Sequence, residues 1–161
     1  MMKVSKYTPA GAVAENIKGN EIAGILVPAA LNARKKAYAP YSGYGVGAAV
    51  LTDDNTVFTG CNIENASYGA TVCAERTAIF KAVSEGHTKI KAIAIVGAPL
   101  DGPDEIPSDT PYAFPCGICR QVLSEFAISD DIPVIVARSL SDHESYPLSE
   151  LLPHSFTSES L

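Results

Sequence analysis

Two short cysteine-containing segments constrain the fold of this chain more than any other feature. The first is residues 73–76 (C-A-E-R), and the second is residues 115–120 (P-C-G-I-C-R). Cys116 and Cys119 are three residues apart, so one turn of a helix places both thiolates on the same side. Cys73 must reach that place from elsewhere in the chain. The fold therefore has to bring two segments together around three sulfur atoms.

Three cysteine sulfurs and one nearby carboxylate are typical of a catalytic zinc centre. Zn²⁺ held by three protein ligands keeps a fourth position open for water. Glu75 lies two residues after Cys73 and can move protons to and from that water. Three thiolates leave the site with a surplus of negative charge, so nearby positive groups are expected. Helix N-termini at the ligands supply part of this positive charge, and Arg76 and Arg120 could hydrogen-bond the sulfurs.

Other interpretations of the cysteines use the same residues differently. Cys61 could complete a closed structural site with four sulfurs, but it ends a strand-like run, residues 57–61, whereas the other three cysteines open helices. A buried free cysteine is the preferred role for Cys61. A thioredoxin-like redox site would leave Cys73 and Glu75 unused. Arg76 and Arg120 could also form ordinary surface ion pairs.

Composition predicts a single compact domain. The chain has 161 residues, of which 47% are apolar and 19% charged, so it can bury a core. We expect residues 1–20 to form an additional N-terminal arm and residues 21–161 to form the domain. The net charge of −6 without a basic stripe speaks against a nucleic-acid partner. Apolar stretches of strand length and four cysteines favour a cytoplasmic protein that does not enter a membrane.

The order of the predicted elements is helix, strand, strand, helix, strand, helix, strand, which indicates a three-layer α/β domain. We predict a first helix that begins near Pro28 and extends through Tyr38, with Pro40 ending it. The remaining predictions are strands over residues 46–52, 56–61, 90–96 and 132–137, helices over 73–84 and 116–126, and a turn at 53–55.

Several further segments resemble one enzyme family. They are residues 39–42 (A-P-Y-S), 46–49 (V-G-A-A), 60–68 (G-C-N-I-E-N-A-S-Y), 73–78 (C-A-E-R-T-A), 115–121 and 150–153 (E-L-L-P). From about Ala29 to its end the chain resembles the cytidine deaminases, small members of the zinc deaminase superfamily. The N-I-E-N segment is the most specific part of this resemblance. The resemblance implies an α/β/α fold with a mixed sheet of about five strands.

The same resemblance implies an activity and a set of residue roles. The activity is hydrolytic deamination of cytidine and 2′-deoxycytidine in pyrimidine salvage, with one Zn²⁺ per subunit. The implied residues are Cys73, Cys116 and Cys119 as zinc ligands, Glu75 as the proton shuttle, Asn62 and Glu64 as ribose binders, and Tyr44 and Ala74 in the substrate pocket. Tyr68 and Phe156 are implied to complete the pocket of a neighbouring subunit in a homotetramer.

The segment from Pro99 to Phe114 is longer than the family's usual link into the second cysteine motif. Its prolines and acidic residues predict an exposed loop near the site, which could be a partial lid or a neutral insertion.

Three alternative functions use much of the same sequence. They are deamination of single-stranded polynucleotide, deamination of a different small substrate such as an antibiotic, and a non-catalytic zinc-stabilised interaction module.

Overall fold

The computed structural model describes residues 19–161, and they form a five-stranded mixed sheet covered by helices. The strands are β1 (Tyr44–Thr52), β2 (Val57–Cys61), β3 (Ile90–Pro99), β4 (Pro133–Ser139) and β5 (Asp142–Pro147). The helices are α1 (Gly19–Arg34), α2 (Ala74–Ser84), α3 (Gly117–Phe126) and the short α4 (Leu148–Leu151). The predicted N-terminal arm lies outside the described residues except for its last two, which begin α1.

The strand order is β2-β1-β3-β4-β5, so the two most apolar strands, β1 and β3, lie inside the sheet. They pair antiparallel with each other, and β3 pairs parallel with β4. β3 is buried almost without interruption, as expected for a strand covered on both faces. The predicted mixed sheet is confirmed.

The alternation of side chains along the strands builds two cores, one on each face of the sheet. Ile93 and Ile95 point into the core under α2 and α3. Ala92, Ala94 and Val96 point into the core under α1. The three-layer arrangement predicted from the element order is therefore confirmed.

The predicted bounds of α1 are wrong at both ends. The helix begins at Gly19 rather than near Pro28, and it ends at Arg34 rather than Tyr38. Pro28 lies inside the helix on its exposed side, and Gly24, whose carbonyl loses its usual donor, is an exposed residue as well. The buried stripe of Ala23, Leu26, Val27 and Ala30 holds this helix on the sheet and outweighs the proline.

Two glycines let the helices approach the sheet closely. A Cβ atom on Gly47 would lie 2.0 Å from the Ala30 carbonyl oxygen of α1, and one on Gly60 would lie 2.4 Å from the Ala78 nitrogen of α2. The contact at Gly60 fixes α2 against the sheet, and it therefore also fixes the cysteine at the start of α2. No helix within residues 19–161 has the length and apolar character needed to cross a membrane.

Candidate active site

The three cysteines of the two motifs meet because each belongs to the start of a helix. Cys73 is the N-cap residue of α2, Cys116 is the N-cap residue of α3, and Cys119 lies in the first turn of α3. Both N-cap residues have extended backbones, which aim their side chains toward the first turn of the helix. The parallel pairing of β3 and β4 and the packing of α2 on α3 bring the two starts together.

The sulfur atoms are spaced as a zinc ion requires. Cys116 Sγ lies 3.9 Å from Cys73 Sγ and 3.5 Å from Cys119 Sγ, and all three atoms lie within 4.8 Å of one another. Ligands about 2.3 Å from zinc in a tetrahedron would have their sulfurs about 3.8 Å apart. The donor set and its spacing therefore fit Zn²⁺. Cys61 does not belong to this cluster.

Two hydrogen-bonding neighbours favour the thiolate form of Cys73. The neighbouring Cys119 thiol and the guanidinium of Arg76 lower the pKa of Cys73 to about 5. Arg76 Nη2 donates to Cys73 Sγ at 3.7 Å and to the Thr71 carbonyl at 3.2 Å. The pKa of the Cys119 thiol is raised by its contact with Cys73 and by burial. One cysteine of the pair is therefore ready to bind a cation, and the other gives up its proton when the cation arrives.

Arg120 makes different contacts from those of Arg76. Its Nε donates to the Pro115 carbonyl and its Nη1 donates to the Leu151 carbonyl, each at 2.8 Å. The guanidinium thus donates to carbonyl oxygens and not to a sulfur. These two bonds link Pro115, the residue before Cys116, to the end of α4.

Glu75 is the one carboxylate buried beside the cysteines in the described chain. Its residue is 4% exposed, and it follows Ala74 at the start of α2. Burial raises the pKa of the Glu75 carboxyl to about 7. A carboxyl in such an environment exchanges protons readily near neutral pH, as a general acid and base must.

A cavity of about 270 Å³ opens in front of the sulfur cluster. Its lining is mainly apolar, and it consists of Tyr44, Val46, Asn62, Thr71, Cys73, Ala74, Glu75, Ile95, Ala113, Phe114 and Cys116. Six of the predicted site residues lie on this wall, and they are Tyr44, Asn62, Cys73, Ala74, Glu75 and Cys116.

Asn62 and Tyr44 form the side of the cavity that lies toward β1. Asn62 Oδ1 accepts from the Val46 amide at 2.8 Å, and its Nδ2 donates to the Tyr44 carbonyl at 2.9 Å. These bonds fix the Asn62 side chain and leave it one further donor and one acceptor position. Burial raises the pKa of the Tyr44 hydroxyl.

Glu64 lies outside the cavity wall, on the extended segment that follows Asn62. Its Oε2 accepts from the backbone amides of Tyr41 and Ser42, at 2.9 and 3.2 Å. Hydrogen bonds from the Ser42 side chain and these amides lower the pKa of Glu64. The carboxylate is therefore charged and held at the loop that precedes β1.

Tyr68 and Phe156 do not line the cavity of their own chain. Tyr68 is 67% exposed, and its ring packs edge-on against Tyr41 with the centroids 6.0 Å apart. Phe156 is 59% exposed, and its carbonyl accepts from Gln121 Nε2 at 2.8 Å. Both residues are therefore largely exposed in the single chain.

The expectation of a buried Cys61 is wrong. Its thiol is free and partly exposed, and it donates to the Lys36 carbonyl at 3.3 Å. Cys61 ends the edge strand β2 on the half-buried side of that strand, beside the turn that follows α1.

Sequence reasoning missed Phe114 and Ala113 as cavity residues. Both lie in the long link whose composition indicated only an exposed loop. Their position directly before the Pro115-Cys116 pair is the one signal that could have placed them near the metal ligands.

Comparison with known proteins agrees with this geometry. A family model described as the cytidine and deoxycytidylate deaminase zinc-binding region matches residues 21–135, which include both cysteine motifs. The chain belongs to this family. It is therefore a zinc-dependent deaminase, a hydrolase, as the two motifs and the resemblance predicted.

Individual relatives match nearly their whole length. The cytidine deaminase of Sporosarcina psychrophila is 45% identical over 136 residues, which cover 84% of this chain and 92% of that protein. The cytidine deaminase of Halalkalibacterium halodurans is 46% identical over 137 residues, which cover 85% and 96%. The crystal structure of cytidine deaminase from Burkholderia pseudomallei superimposes with a TM-score of 0.70 at 44% identity, covering 83% of this chain and 98% of that one.

Proposed function

We propose that this deaminase hydrolyses cytidine and 2′-deoxycytidine to uridine and 2′-deoxyuridine, with release of ammonia. The observation that carries the proposal is the meeting of three cysteine sulfurs and the buried Glu75 on one wall of a cavity. The similarity to cytidine deaminases over more than four fifths of the chain supports the choice of substrate.

The cysteines hold the metal, and Glu75 moves the protons. Cys73, Cys116 and Cys119 would bind Zn²⁺, which when bound lowers the pKa of a water molecule at the remaining position. Glu75 accepts a proton from the attacking water and delivers it to N3 of cytosine as C4 becomes tetrahedral. Glu75 then assists protonation of the amino group, which leaves as ammonia.

The nucleoside is oriented by the residues on the other side of the cavity. Asn62 has a free donor and a free acceptor for a ribose hydroxyl, and the charged Glu64 can accept a second hydroxyl. Tyr44 and Ala74 contribute to the wall that receives the base. These roles follow from the residues' positions and from the resemblance of the N-I-E-N segment.

The protein acts as a homotetramer in which Tyr68 and Phe156 reach the site of a neighbouring subunit. Their exposure supports this proposal, since large aromatic side chains that are open in one chain are well suited to an interface. We further propose that the enzyme works in the reducing cytoplasm, where thiols stay reduced; all four cysteines are free.

The test of this function is the loss of ultraviolet absorbance when zinc-loaded protein is mixed with cytidine. Wild-type protein should produce uridine and ammonia in equal amounts. Glu75→Ala should keep its zinc and lose at least about a hundredfold in kcat, the smallest contribution expected from a general acid–base group. Equal rates for wild type and Glu75→Ala would disprove the assignment of Glu75.

A substrate panel distinguishes the alternatives. The panel contains cytidine, 2′-deoxycytidine, a single-stranded oligonucleotide with one cytosine, and blasticidin S. The last is included because a blasticidin-S deaminase of Bacillus cereus is 37% identical over 82 residues, about half of this chain. Turnover of blasticidin S or of the oligonucleotide without turnover of cytidine would overturn the proposed substrate.

A further inference from the structure

The link between β3 and α3 contacts the rest of the fold at Ile106, which packs against the core under α1, and again over residues 108–114. β3 ends at Pro99, and the link runs to Pro115, directly before the first cysteine of α3. Residues 101–105 are exposed. Residues 108–114, in contrast, contact strands β3, β4 and β5. The link is therefore neither a free lid nor a passive insertion along its second half.

Three side chains, which we call the knot, make this attachment: Arg138, Asp142 and Tyr112. Arg138 Nε and Nη2 donate to the two carboxylate oxygens of Asp142, at 2.8 and 3.0 Å. Tyr112 donates its hydroxyl to Asp142 Oδ1 at 2.6 Å, and the guanidinium lies 4.1 Å from the centre of the Tyr112 ring. Because Arg138 and Asp142 belong to β4 and β5, the knot joins the link to the edge of the sheet.

The same guanidinium also holds the backbone of the link. Arg138 Nη1 donates to the carbonyl oxygens of Ser108 and Thr110, the latter at 2.8 Å. One planar group therefore makes a two-point bond to a carboxylate, two bonds to carbonyls and a stacking contact. A lysine at this position could not make this set of contacts, because its ammonium is a single point of charge.

Ala113 and Phe114, the two residues that follow Tyr112 in the chain, form part of the cavity wall. Ala113 packs onto β3 at Gly97, where a Cβ atom would lie only 2.6 Å from Ala113 Cβ. The Phe114 ring packs against Tyr146 of β5 with the centroids 5.5 Å apart, and Phe114 remains 43% exposed. Both residues line the cavity in front of the sulfur cluster. The knot thus fixes the direction in which Phe114 enters the wall.

Phe114 and the metal ligand Cys116 line the same cavity, and they are two residues apart in the chain. The proposed ribose contacts are held by other segments: Asn62 bonds to the backbone of Val46 and Tyr44 in β1, and Glu64 bonds to the loop before β1. An aromatic ring on the wall of a site for a flat pyrimidine can contact the pyrimidine face to face or edge to face.

We propose that Phe114 is a substrate-contacting residue that helps to hold the pyrimidine, and that Arg138 is a positioning residue that acts through Phe114. This inference rests on the proposed function of the site. It adds an aromatic contact from the chain's own link to the residues that the motifs indicated.

The first experiment compares wild type with Phe114→Ala. We expect KM for cytidine and the inhibition constant of the product uridine to rise together by about tenfold, the value of one aromatic contact. We expect kcat to change by less than about threefold, since Phe114 is not placed to move a proton. If Phe114→Ala does not fold, Phe114→Leu keeps the apolar volume without the flat ring and should show a smaller rise of the same kind.

Unchanged KM and unchanged uridine inhibition in folded Phe114→Ala would overturn the substrate contact. Loss of zinc from Phe114→Ala would overturn it as well, because the side chain would then act on Cys116. Turnover of cytidine by wild type reports on the proposed function alone. A failure of the proposed function is therefore seen separately from a failure of the inference about Phe114.

The second experiment tests the knot with Arg138→Lys, Arg138→Gln and the double variant Phe114→Ala/Arg138→Gln. We expect Arg138→Gln to raise KM for cytidine about threefold to tenfold with full zinc content, and Arg138→Lys to restore little of it. The double variant should be no worse than Phe114→Ala, since residues that act through one another are not additive. Leu140→Ala, an exposed apolar residue of the same hairpin, is the control and should leave KM unchanged.

Fully additive effects in the double variant would overturn the statement that Arg138 acts through Phe114. The same conclusion follows if Arg138→Gln lowers kcat or zinc content instead of raising KM. Restoration of wild-type KM by Arg138→Lys would show that charge alone is sufficient and would overturn the role of the planar guanidinium.

Discussion

The sulfur cluster and the exposed aromatic residues are held in place in opposite ways. Cys119 and Glu75 are buried in the start of helices that pack on the core, so the fold of one chain fixes them. Phe114, Tyr68 and Phe156 are between 43% and 67% exposed and belong to a link, a short turn and the C-terminal tail. The sulfurs and Glu75 are thus positioned by the core, whereas the exposed aromatic residues are positioned by segments outside it.

This difference separates two kinds of kinetic effect. Substitutions in the sulfur cluster should remove zinc or proton transfer and thus lower kcat. Substitutions of the exposed aromatic residues should weaken substrate binding and thus raise KM, with zinc retained. An aromatic variant that loses zinc, or a cysteine variant that only raises KM, would contradict this division between the two groups of residues.

The largest effect is expected for Cys116→Ala. Removing one of three thiolates should reduce bound zinc well below one ion per chain and lower activity by about a thousandfold or more, since the metal supplies several kcal/mol of transition-state stabilisation. Metal analysis of the purified protein and the cytidine assay measure both effects. Cys61→Ala is the matched control and should keep its zinc and activity, because Cys61 lies outside the cluster.

One bound zinc per chain in Cys116→Ala would contradict the three-sulfur site. Loss of zinc from Cys61→Ala would favour the closed site with four sulfurs.

An intermediate effect is expected for the two arginines, and it should differ between them. Arg76 donates directly to Cys73 Sγ, so Arg76→Gln should weaken zinc affinity by about tenfold to a hundredfold. Arg120 contacts the carbonyls of Pro115 and Leu151, so Arg120→Gln should mainly lower the melting temperature. Titration of zinc against a chelator and thermal unfolding of the zinc-loaded proteins separate the two outcomes. Equal losses of zinc affinity would refute the distinction.

The helices and strands that could be predicted from the sequence are mainly those that pack on the core. The strands over residues 46–52 and 90–96 and the helices at the two cysteine motifs are present, because strongly apolar runs and helix starts are local signals. The start of α1 was missed because the buried stripe of the helix outweighs one proline. β5 was not among the predicted strands, because D-H-E-S-Y-P is a polar edge strand with no buried face of its own.

The residues of the site likewise differ in whether the sequence could predict them. The cysteines, Glu75 and Asn62 could be named from motifs, and the structure brings them to one cavity or its edge. Phe114 and the Arg138 knot could not be named, since their contacts join β4, β5 and a link that are far apart in the sequence. Such contacts depend on tertiary packing and carry no local pattern.

The smallest effect is expected for Phe156, and it tests whether the tail serves a neighbouring subunit. Phe156→Ala should raise KM for cytidine severalfold to about tenfold with unchanged zinc, because the exposed ring is lost while the backbone bond to Gln121 remains. Leu161→Ala, at the far end of the same tail, is the control and should behave like wild type.

Mixing subunits sharpens this result. Phe156→Ala chains keep Glu75, and Glu75→Ala chains keep Phe156, so a hybrid assembly can contain both groups in one site only if Phe156 comes from a neighbour. At cytidine concentrations below KM, the rate per Phe156→Ala chain should then rise toward the wild-type rate when the two proteins are refolded together. A rate that stays at that of Phe156→Ala alone, in hybrids verified by native mass spectrometry, would mean that Phe156 serves its own chain. The tail would then belong with Phe114, as a contact that a single chain provides for itself.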